Sequence, residues 1–242
     1  MENLLITICA RGGSKGIPGK NIKLLNNKPL IQYTIDVAKQ IQKIIKGTII
    51  ELSTDDSEIL KVCSQLGLSS EYIRPAYLAT DKSGKVDAIK DLLNYAKDKY
   101  NREFNFILDL DVSSPLRTVE EILEAISIFK NNLEALTLFS VNKANKNPYF
   151  NMVEENESGF FDISKKRDQL TLSRQTAPKV FELNASFYLY RKKFFEIESK
   201  GVITSKSLIF EMNHICFDLD HPNDFEYMDY LLRENKLDLD LL

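Results

Sequence analysis

The chain contains no tryptophan, and only two histidines and three cysteines among its 242 residues. Cys9, Cys63 and Cys216 are an odd number of cysteines at wide spacing, and none of them forms the close pair of a zinc or thioredoxin motif. With so few histidines and cysteines, the sequence gives little support to a transition-metal site. We therefore expect the cysteines to pack as small apolar residues.

A long apolar run and an excess of one charge are also missing. No stretch reaches the roughly 20 apolar residues that span a bilayer, and the N-terminal residues match a secretory signal poorly, because Glu2 precedes a short apolar run and Arg11 follows it. The 32 basic and 35 acidic residues give a net charge of −3, which excludes a general attraction to polyanions. We expect neither a membrane nor a nucleic-acid partner, a cytoplasmic location, and phosphate binding that is local.

Strand-like and helix-like segments alternate along the chain, whose length suits one large core, so we predict a single domain over residues 1–242. Alternation of this kind predicts an α/β fold in which a mainly parallel sheet is covered by helices on both faces. The predicted strands are 4–10, 48–53, 104–110, 135–141, 187–190 and 214–217, and the predicted helices begin at Pro29 or cover 56–65, 85–100, 119–131, 192–198 and 222–235.

Residues 142–184 break this alternation. They consist of short polar segments with turn residues such as Asn147-Pro148 and Ser158-Gly159, and they show no long helical period. A loose region of this length is unusual inside a compact domain. We predict a β-rich arm that closes the site or contacts another subunit.

A glycine-rich basic turn, ARGGSKGIPGKN at residues 10–21, follows the first predicted strand. Its glycines let the backbone approach a ligand closely, and Arg11, Lys15 and Lys20 supply three positive charges, so the turn suits a triphosphate. The spacing and Asn21 differ from a Walker A loop, and the G-x-G-x-x-G dinucleotide fingerprint is absent. A solvated turn whose lysines face water remains the alternative.

Two aspartate pairs each end a predicted strand: Asp109 with Asp111, and Asp218 with Asp220. Residues i and i+2 of a strand face the same way, so either pair could share one hard cation such as magnesium. Spacing alone does not choose between the pairs. Asp220 could instead cap the helix that Pro222 opens.

Seven motifs in order resemble the acylneuraminate cytidylyltransferase family, the CMP-sialic acid synthetases, over nearly the whole chain. They are ICARGGSKGIPGKN at 8–21, LSTDD at 52–56, RPAYLATD at 74–81, SSPLRT at 113–118, SRQTAP at 173–178, LNASFY at 183–188 and FDLDHPNDF at 217–225. The resemblance implies a Rossmann-like three-layer fold of the nucleotide-diphospho-sugar transferase type, a homodimer joined by the arm at about 142–184, and dependence on Mg²⁺ or Mn²⁺.

The resemblance also implies roles for individual residues. CTP and an acidic nine-carbon sugar would be the partners, and the metal pair would be the second aspartate pair, Asp218 and Asp220. The implied catalytic residues are Arg11, Lys15, Lys20 and Asp220; the nucleotide-binding residues are Ala10, Arg11, Gly12, Gly13, Lys20, Asn21, Arg74 and Ser83; and the sugar-binding residues are Asp111, Arg174, Gln175, Asn184 and Tyr188.

The chain departs from the family pattern at two places. Asp111-Val112-Ser113 stands where many sialic acid synthetases have Gln-Pro-Thr, and Lys85 stands where a small hydroxyl residue is common. An ionised carboxylate only accepts hydrogen bonds, so Asp111 would suit amino or acetamido substituents. We therefore expect legionaminic acid or a related diamino sugar as substrate. The alternatives are N-acetylneuraminate, Kdo, whose enzymes carry Gln-Gly-Asp here, and a catalytically silent nucleotide-binding domain.

The expected reaction is attack of the sugar's anomeric hydroxyl on the α-phosphorus of CTP, which releases pyrophosphate and leaves a CMP-sugar. Alignment of the two substrates and neutralisation of the developing charge accelerate such a transfer. Arg11, Lys15 and Lys20 would stabilise the departing pyrophosphate, and no general base is evident from the sequence.

Overall fold

The structure is a computed structural model that describes residues 3–167, 171–173, 175–197, 201–239 and 241. Short 3-10 helices lie at Lys20–Ile22, Ala76–Leu78 and Lys192–Glu196. The strands and α-helices in chain order are β1 Leu4–Cys9, β2 Leu24–Leu25, β3 Lys28–Pro29, α1 Leu30–Ile44, β4 Ile49–Ser53, α2 Ser57–Gln65, α3 Lys85–Tyr100, β5 Phe106–Leu110, α4 Val119–Asn131, β6 Thr137–Lys143, β7 Val153–Glu155, β8 Phe161–Ile163, β9 Phe181–Arg191, β10 Ser207–Glu211 and α5 Pro222–Arg233.

The main sheet has the strand order β10-β6-β9-β5-β1-β4, and every neighbouring pair is parallel except the two that involve β9. Side chains of β1 alternate between two cores: Leu4, Ile6 and Ile8 pack with α1, α4 and α5, whereas Leu5 packs with α3. A strand buried on both faces explains its nearly continuous apolar sequence. The predicted three-layer α/β fold with a mainly parallel sheet is confirmed.

Local capping explains where two of the helices begin. The Asp56 carboxylate accepts hydrogen bonds from the backbone N–H groups of Glu58 at 2.8 Å and Ile59 at 3.1 Å, which fixes the start of α2. Thr118 and Glu121 form a reciprocal capping box at the start of α4. Both caps follow segments that lead out of the carboxyl edge of the sheet, so they also fix the loops at that edge.

Several predicted elements differ in the structure. The strand predicted at 214–217 is wrong: the edge strand is β10, and residues 214–217 cross the carboxyl edge instead. The Asn142 side-chain amide holds this crossing by donating to the carbonyl oxygens of Met212 at 2.8 Å and His214 at 3.0 Å. Of the helix predicted at 192–198, Lys192–Glu196 is a 3-10 helix, Ile197 is extended and residue 198 lies outside the described residues. Pro29 precedes α1 instead of opening it. Residues 207–211 and residues 214–217 are both short and largely apolar, so hydrophobic periodicity does not show which of them forms the edge strand.

The predicted arm is shorter than expected. Strand β6 continues to Lys143 and β9 starts at Phe181, so the excursion covers 144–180 instead of 142–184. Within it, β7 and β8 form an antiparallel hairpin. Met152, Val153, Phe160 and Phe161 on this hairpin are exposed. Contact between this arm and another subunit stays a prediction.

In the part of the chain that the structure describes, no helix is both long and apolar enough to cross a membrane.

Candidate active site

A cavity of about 710 Å³ opens at the carboxyl edge of the sheet. Its walls come from the glycine-rich turn after β1, the loop before α3, the turn after β5 and the segment before α5. Eight residues predicted from the sequence line it together: Arg11, Lys15, Lys20, Asn21, Arg74, Ser83, Asp111 and Asp220. Ligands of open α/β sheets bind beyond the carboxyl ends of strands, so the cavity lies where a substrate is expected.

Two glycines of the turn are required by close approach. A Cβ atom on Gly16 would lie 2.0 Å from the backbone carbonyl oxygen of Asp220, and one on Gly12 would lie 2.5 Å from a carboxylate oxygen of Asp56. The Gly12 N–H donates to Asp55 at 3.0 Å. At Gly13, in contrast, a Cβ atom would meet nothing within 4 Å. The turn is therefore packed against the segment that carries the second aspartate pair.

Two cations of the turn share one carboxylate in this structure. Arg11 lies 2.9 Å from Asp81, and the Lys15 ammonium contacts the other oxygen of the same side chain. The hydrogen bond from Lys15 lowers the pKa of Asp81, with Arg11 adding to the effect. Asp81 therefore occupies a position between two cations that an anionic ligand of the cavity would also occupy.

Replacement of Asp81 by asparagine is expected to tighten the binding of inorganic pyrophosphate and of CTP severalfold, because exposed ion pairs of this kind are weak and a ligand anion must displace them. Calorimetric titration of both variants measures this, and cytidine, which has no phosphate, serves as the control and should bind equally to both. Weaker pyrophosphate binding by the variant would show instead that Asp81 holds Arg11 and Lys15 in place for the ligand.

The third cation of the turn reaches the second aspartate pair. The Lys20 ammonium donates to the carbonyl oxygen of Leu219 at 2.8 Å and lies 3.4 Å from the Asp220 carboxylate. Its side chain is only 13% exposed. Asn21 supports the turn, because its side-chain amide donates to the carbonyl oxygen of Arg11 at 2.9 Å. The two halves of the predicted site are thus in direct contact.

The predicted nucleoside contacts lie around the end of β4. Arg74 is buried, and its guanidinium donates to the hydroxyl and the carbonyl oxygen of Ser53, both at 2.9 Å. The backbone N–H of Ala10 donates to the same carbonyl oxygen at 2.9 Å. Ser83 donates to the carbonyl oxygen of Tyr77 at 2.6 Å. These contacts fix one wall of the cavity, and the nucleotide contacts of Arg74, Ser83 and Ala10 stay predictions.

The Asp218 and Asp220 carboxylates offer oxygen ligands of the kind that magnesium prefers. Oδ1 of Asp218 is buried and finds no hydrogen-bond partner among the described residues, whereas the Asp220 side chain is 66% exposed. No group of three or more acidic, histidine or cysteine side chains around a metal position occurs among the described residues. A hard cation that keeps several water or phosphate ligands fits this pair, because the unpartnered Asp218 oxygen needs a counter-charge.

Burial, the Asp111 charge and the Asp220 charge raise the pKa of Asp218 to about 6 in the metal-free protein. The folded protein therefore holds this proton up to a pH at which the unfolded chain, with its ordinary value of 3.8, has already released it. The contribution of Asp218 to stability is consequently lost as the pH rises from about 4 through about 6.

Asp218→Asn is therefore expected to raise the stability of the metal-free protein at pH 8 while it weakens divalent-ion binding. Urea unfolding at pH 5 and pH 8 tests the first part, because the loss of stability is only partly developed at pH 5, so the gain should be clearly larger at pH 8. Titration with Mn²⁺ at pH 8 tests the second part. An equal effect on stability at the two pH values would contradict the assigned ionisation.

The first aspartate pair already contains a cation. The Lys85 ammonium lies 2.6 Å from Asp109 and 2.5 Å from Asp111, and Thr7 donates to the other oxygen of Asp109 at 2.8 Å. Despite its burial, Asp111 has a pKa lowered to about 2, mainly because of Lys85 and hydrogen bonds from Ser113. The sequence spacing allowed either pair to bind a metal ion. In the structure, the Lys85 ammonium occupies the position between Asp109 and Asp111 that a metal ion would take. Asp111 is thus an ion-paired carboxylate and not an isolated one.

The remaining residues predicted to bind the sugar lie in different environments. Tyr188 on β9 is half-buried, and the Lys85 ammonium lies 5.4 Å from its ring centre. Asn184 is buried and its side chain is already bonded, because Ser140 donates to its oxygen at 2.6 Å and its amide donates to Asn142 at 2.7 Å. Gln175 is exposed and does not line the cavity, and Arg174 lies outside the described residues. The sugar contacts of these four residues stay predictions.

The role of Arg117 was not predicted from the sequence. It is 1% exposed, and its guanidinium donates to the Thr34 hydroxyl and to the Asp111 carbonyl oxygen, both at 2.6 Å, and to the Ser114 carbonyl oxygen at 3.0 Å. One side chain thus holds the turn after β5 against α1. The only signal in the sequence was an arginine next to apolar Leu116, which is a weak one.

This chain is similar to known proteins along nearly its whole length. A family model described as cytidylyltransferase matches residues 5–239. A post-translational flagellin modification protein B of Campylobacter coli is 34% identical over 98% of this chain and 98% of its own length. A CMP-N,N'-diacetyllegionaminic acid synthase of Campylobacter jejuni is 34% identical over 96% of each chain.

A solved structure of CMP:2-keto-3-deoxy-manno-octonic acid synthetase complexed with CTP has a similar fold, with a TM-score of 0.69 and 16% identity over 97% of this chain and 100% of that one. At this identity the likeness concerns the fold. The family match covers nearly all of the described sheet and every wall of the cavity. The chain therefore belongs to the cytidylyltransferase family of nucleotidyltransferases.

Proposed function

We propose that this cytidylyltransferase transfers CMP from CTP to a nonulosonic acid of the N,N'-diacetyllegionaminic type. The observation that carries the proposal is the cavity at which the cationic turn meets Asp220 of the second aspartate pair, since nucleotidyl transfer needs both phosphate-binding cations and a metal-binding carboxylate. The substrate class follows the similarity, end to end, to a CMP-N,N'-diacetyllegionaminic acid synthase.

The nucleotide half of the site consists of the turn and the wall around Arg74. Arg11, Lys15 and Lys20 would bind the phosphates of CTP, and Asn21 holds the turn that carries them. The cations lie where the negative charge of the departing pyrophosphate develops, and fixed charges at such a position stabilise a transition state. The rate enhancement on this account comes from alignment and charge and not from a general base.

Asp218 and Asp220 would hold Mg²⁺ or Mn²⁺ through their carboxylate oxygens. When bound, such an ion supplies Lewis-acid charge to phosphoryl oxygens. Lys20 orients the Asp220 backbone and side chain from the other side, through its contacts with Leu219 and Asp220. The ammonium of Lys20 thereby holds the Leu219–Asp220 segment beside the cationic turn, where Asp220 lines the cavity.

Asp111 would face the sugar from the turn after β5. Its carboxylate is ionised and accepts hydrogen bonds from Ser113 and Lys85, so its remaining lone pairs can accept from N–H groups such as those of acetamido substituents. This arrangement favours a diamino sugar over N-acetylneuraminate.

We further propose a cytoplasmic homodimer that the arm joins. Phe160 and Phe161 are 73% and 65% exposed, and apolar surface of this kind on a hairpin usually marks an interface. A variant with serine at both positions is expected to halve the mass measured by light scattering. Leu133→Ser, at an equally exposed position outside the arm, is the matched control and should leave the mass unchanged. An unchanged mass in the arm variant would mean that another surface holds the dimer, or that there is none.

The test of the proposed reaction is pyrophosphate release with CTP and Mg²⁺ in parallel reactions with N,N'-diacetyllegionaminate, N-acetylneuraminate, pseudaminate and Kdo, with a no-sugar control. Release with the diacetyllegionaminate above all others supports the proposal. A preference for N-acetylneuraminate over every diamino sugar would refute the substrate class. CTP binding without release on any sugar would indicate a nucleotide-binding protein that does not carry out the transfer.

A further inference from the structure

A lysine at the first turn of α3 lines the cavity and contacts residues of two neighbouring strands, β5 and β9. The Lys85 ammonium lies 2.6 Å from Asp109 in β5, 2.5 Å from Asp111 directly after β5, and 5.4 Å from the ring centre of Tyr188 on β9. Its side chain is 33% exposed and lines the cavity, while Asp109 is fully buried. This ammonium is therefore both a structural counter-ion and a part of the cavity wall.

The two carboxylates need such a counter-ion. Two acids that share one buried site cannot both be ionised at neutral pH unless a cation lies between them. An ammonium is a compact charge with three donors, so it can serve both carboxylates at once. Lys85 leaves this cluster of two acids and one base with one net negative charge, and it fixes the direction in which the Asp111 oxygens point.

A chain of hydrogen bonds leads from Lys85 to the second aspartate pair. The other oxygen of Asp111 accepts from the N–H and the hydroxyl of Ser113, each at 2.8 Å. The carbonyl oxygen of Ser113 in turn accepts from the backbone N–H of Leu219 at 2.9 Å, and Leu219 lies between Asp218 and Asp220. Asp111 is therefore connected through Ser113 to the segment that carries the second pair.

We propose that Lys85 is a positioning residue for the transfer step. Its ammonium holds Asp111 and, through Ser113, aligns the sugar side of the cavity with the Asp218–Asp220 segment. The inference rests on the proposed function, because alignment matters only if two substrates meet there. Lys85 acts through Asp111 and not on the nucleotide, so its removal should affect turnover and leave the affinity for CTP intact.

Lys85→Ala is expected to lower kcat for CMP-sugar formation by about 100-fold, the size of effect that a misplacement of about 1 Å can cause. The dissociation constant of CTP, measured without sugar, should change by less than about threefold, because the alignment of two substrates does not affect the binding of one substrate by itself. Added methylammonium should restore part of the lost turnover in this variant and have no effect on the wild type, because it returns a cation to the vacated position.

Two further variants separate positioning from general destabilisation. Lys99→Ala, on the last turn of the same helix, removes an ammonium 3.2 Å from the buried Glu51 carboxylate outside the cavity and should keep wild-type turnover. Lys85→Ala combined with Asp109→Asn keeps the net charge of the cluster, so it should fold like the wild type and still turn over slowly.

Three results would overturn the assignment of Lys85: wild-type turnover of the charge-matched double variant, a loss of CTP affinity as large as the loss of kcat, or no recovery with methylammonium. None of these results bears on the proposed reaction, because that reaction is tested with the wild-type protein alone. If the wild type released pyrophosphate with none of the sugars, the proposed function would fail, whatever the Lys85 variants did.

Discussion

Lys20→Ala is expected to lower the turnover of CMP-sugar formation by about 10²- to 10³-fold, the cost of removing one fixed charge from a transition state. The effect should be large because this ammonium contacts both the Leu219 carbonyl oxygen and the Asp220 carboxylate, so its loss disturbs both halves of the site. Asp220→Ala should have an effect in the same direction. Steady-state kinetics with CTP and the preferred sugar provide the measurement.

The matched control is Lys23→Ala. Lys23 lies three residues further along the chain, does not line the cavity, and places its ammonium 4.5 Å from the ring centre of Phe225. This variant should turn over at nearly the wild-type rate. Circular dichroism shows whether Lys20→Ala is folded, and a folded Lys20→Ala protein with wild-type kcat would remove Lys20 from the catalytic residues.

Arg117→Met is expected to lower the free energy of unfolding by about 3–5 kcal/mol, because it leaves several buried acceptors without donors. The guanidinium donates to the Thr34 hydroxyl and to the carbonyl oxygens of Asp111, Ser114 and Ser186. Methionine fills much of the same volume but donates no hydrogen bond. Urea unfolding monitored by circular dichroism gives the difference directly.

Arg191 makes the same kind of hydrogen bonds at a position that is more accessible to water. Its guanidinium also donates to carbonyl oxygens, those of Ala135 at 2.8 Å and Phe129 at 2.9 Å, but it is only partly buried. Water can replace these bonds, so Arg191→Met should cost about 1 kcal/mol, as an ordinary hydrogen bond does. Equal losses in the two variants would contradict the argument from burial.

Strong local patterns made most of the fold predictable. The continuous apolar run of β1 can be satisfied only by a strand covered on both sides, and the helical spacing of apolar residues in α3 and α4 gave the bounds of both helices as the structure has them. The cavity followed from the same reasoning, because loops after parallel strands meet at one edge.

Features that depend on distant contacts were not predictable in the same way. The direction of β9 and the position of β10 are decided by pairing with β6, which lies far away in the sequence. Lys85 was identified only as an unusual residue, since nothing in its neighbourhood along the chain indicates that it meets Asp109 and Asp111. Asn184 is a similar case, because its burial results from contacts with β6.

The way in which the arm leaves the sheet has a consequence for protein engineering. Because β6 and β9 are antiparallel neighbours, Lys143 pairs with Phe181, and the Ala144 N–H donates to the Val180 carbonyl oxygen at 3.0 Å. The arm thus begins and ends at adjacent points, as a long loop between two strands of a hairpin does. It is topologically an insertion between two neighbouring strands, so shortening or exchanging it at this junction would leave the order of the strands unchanged.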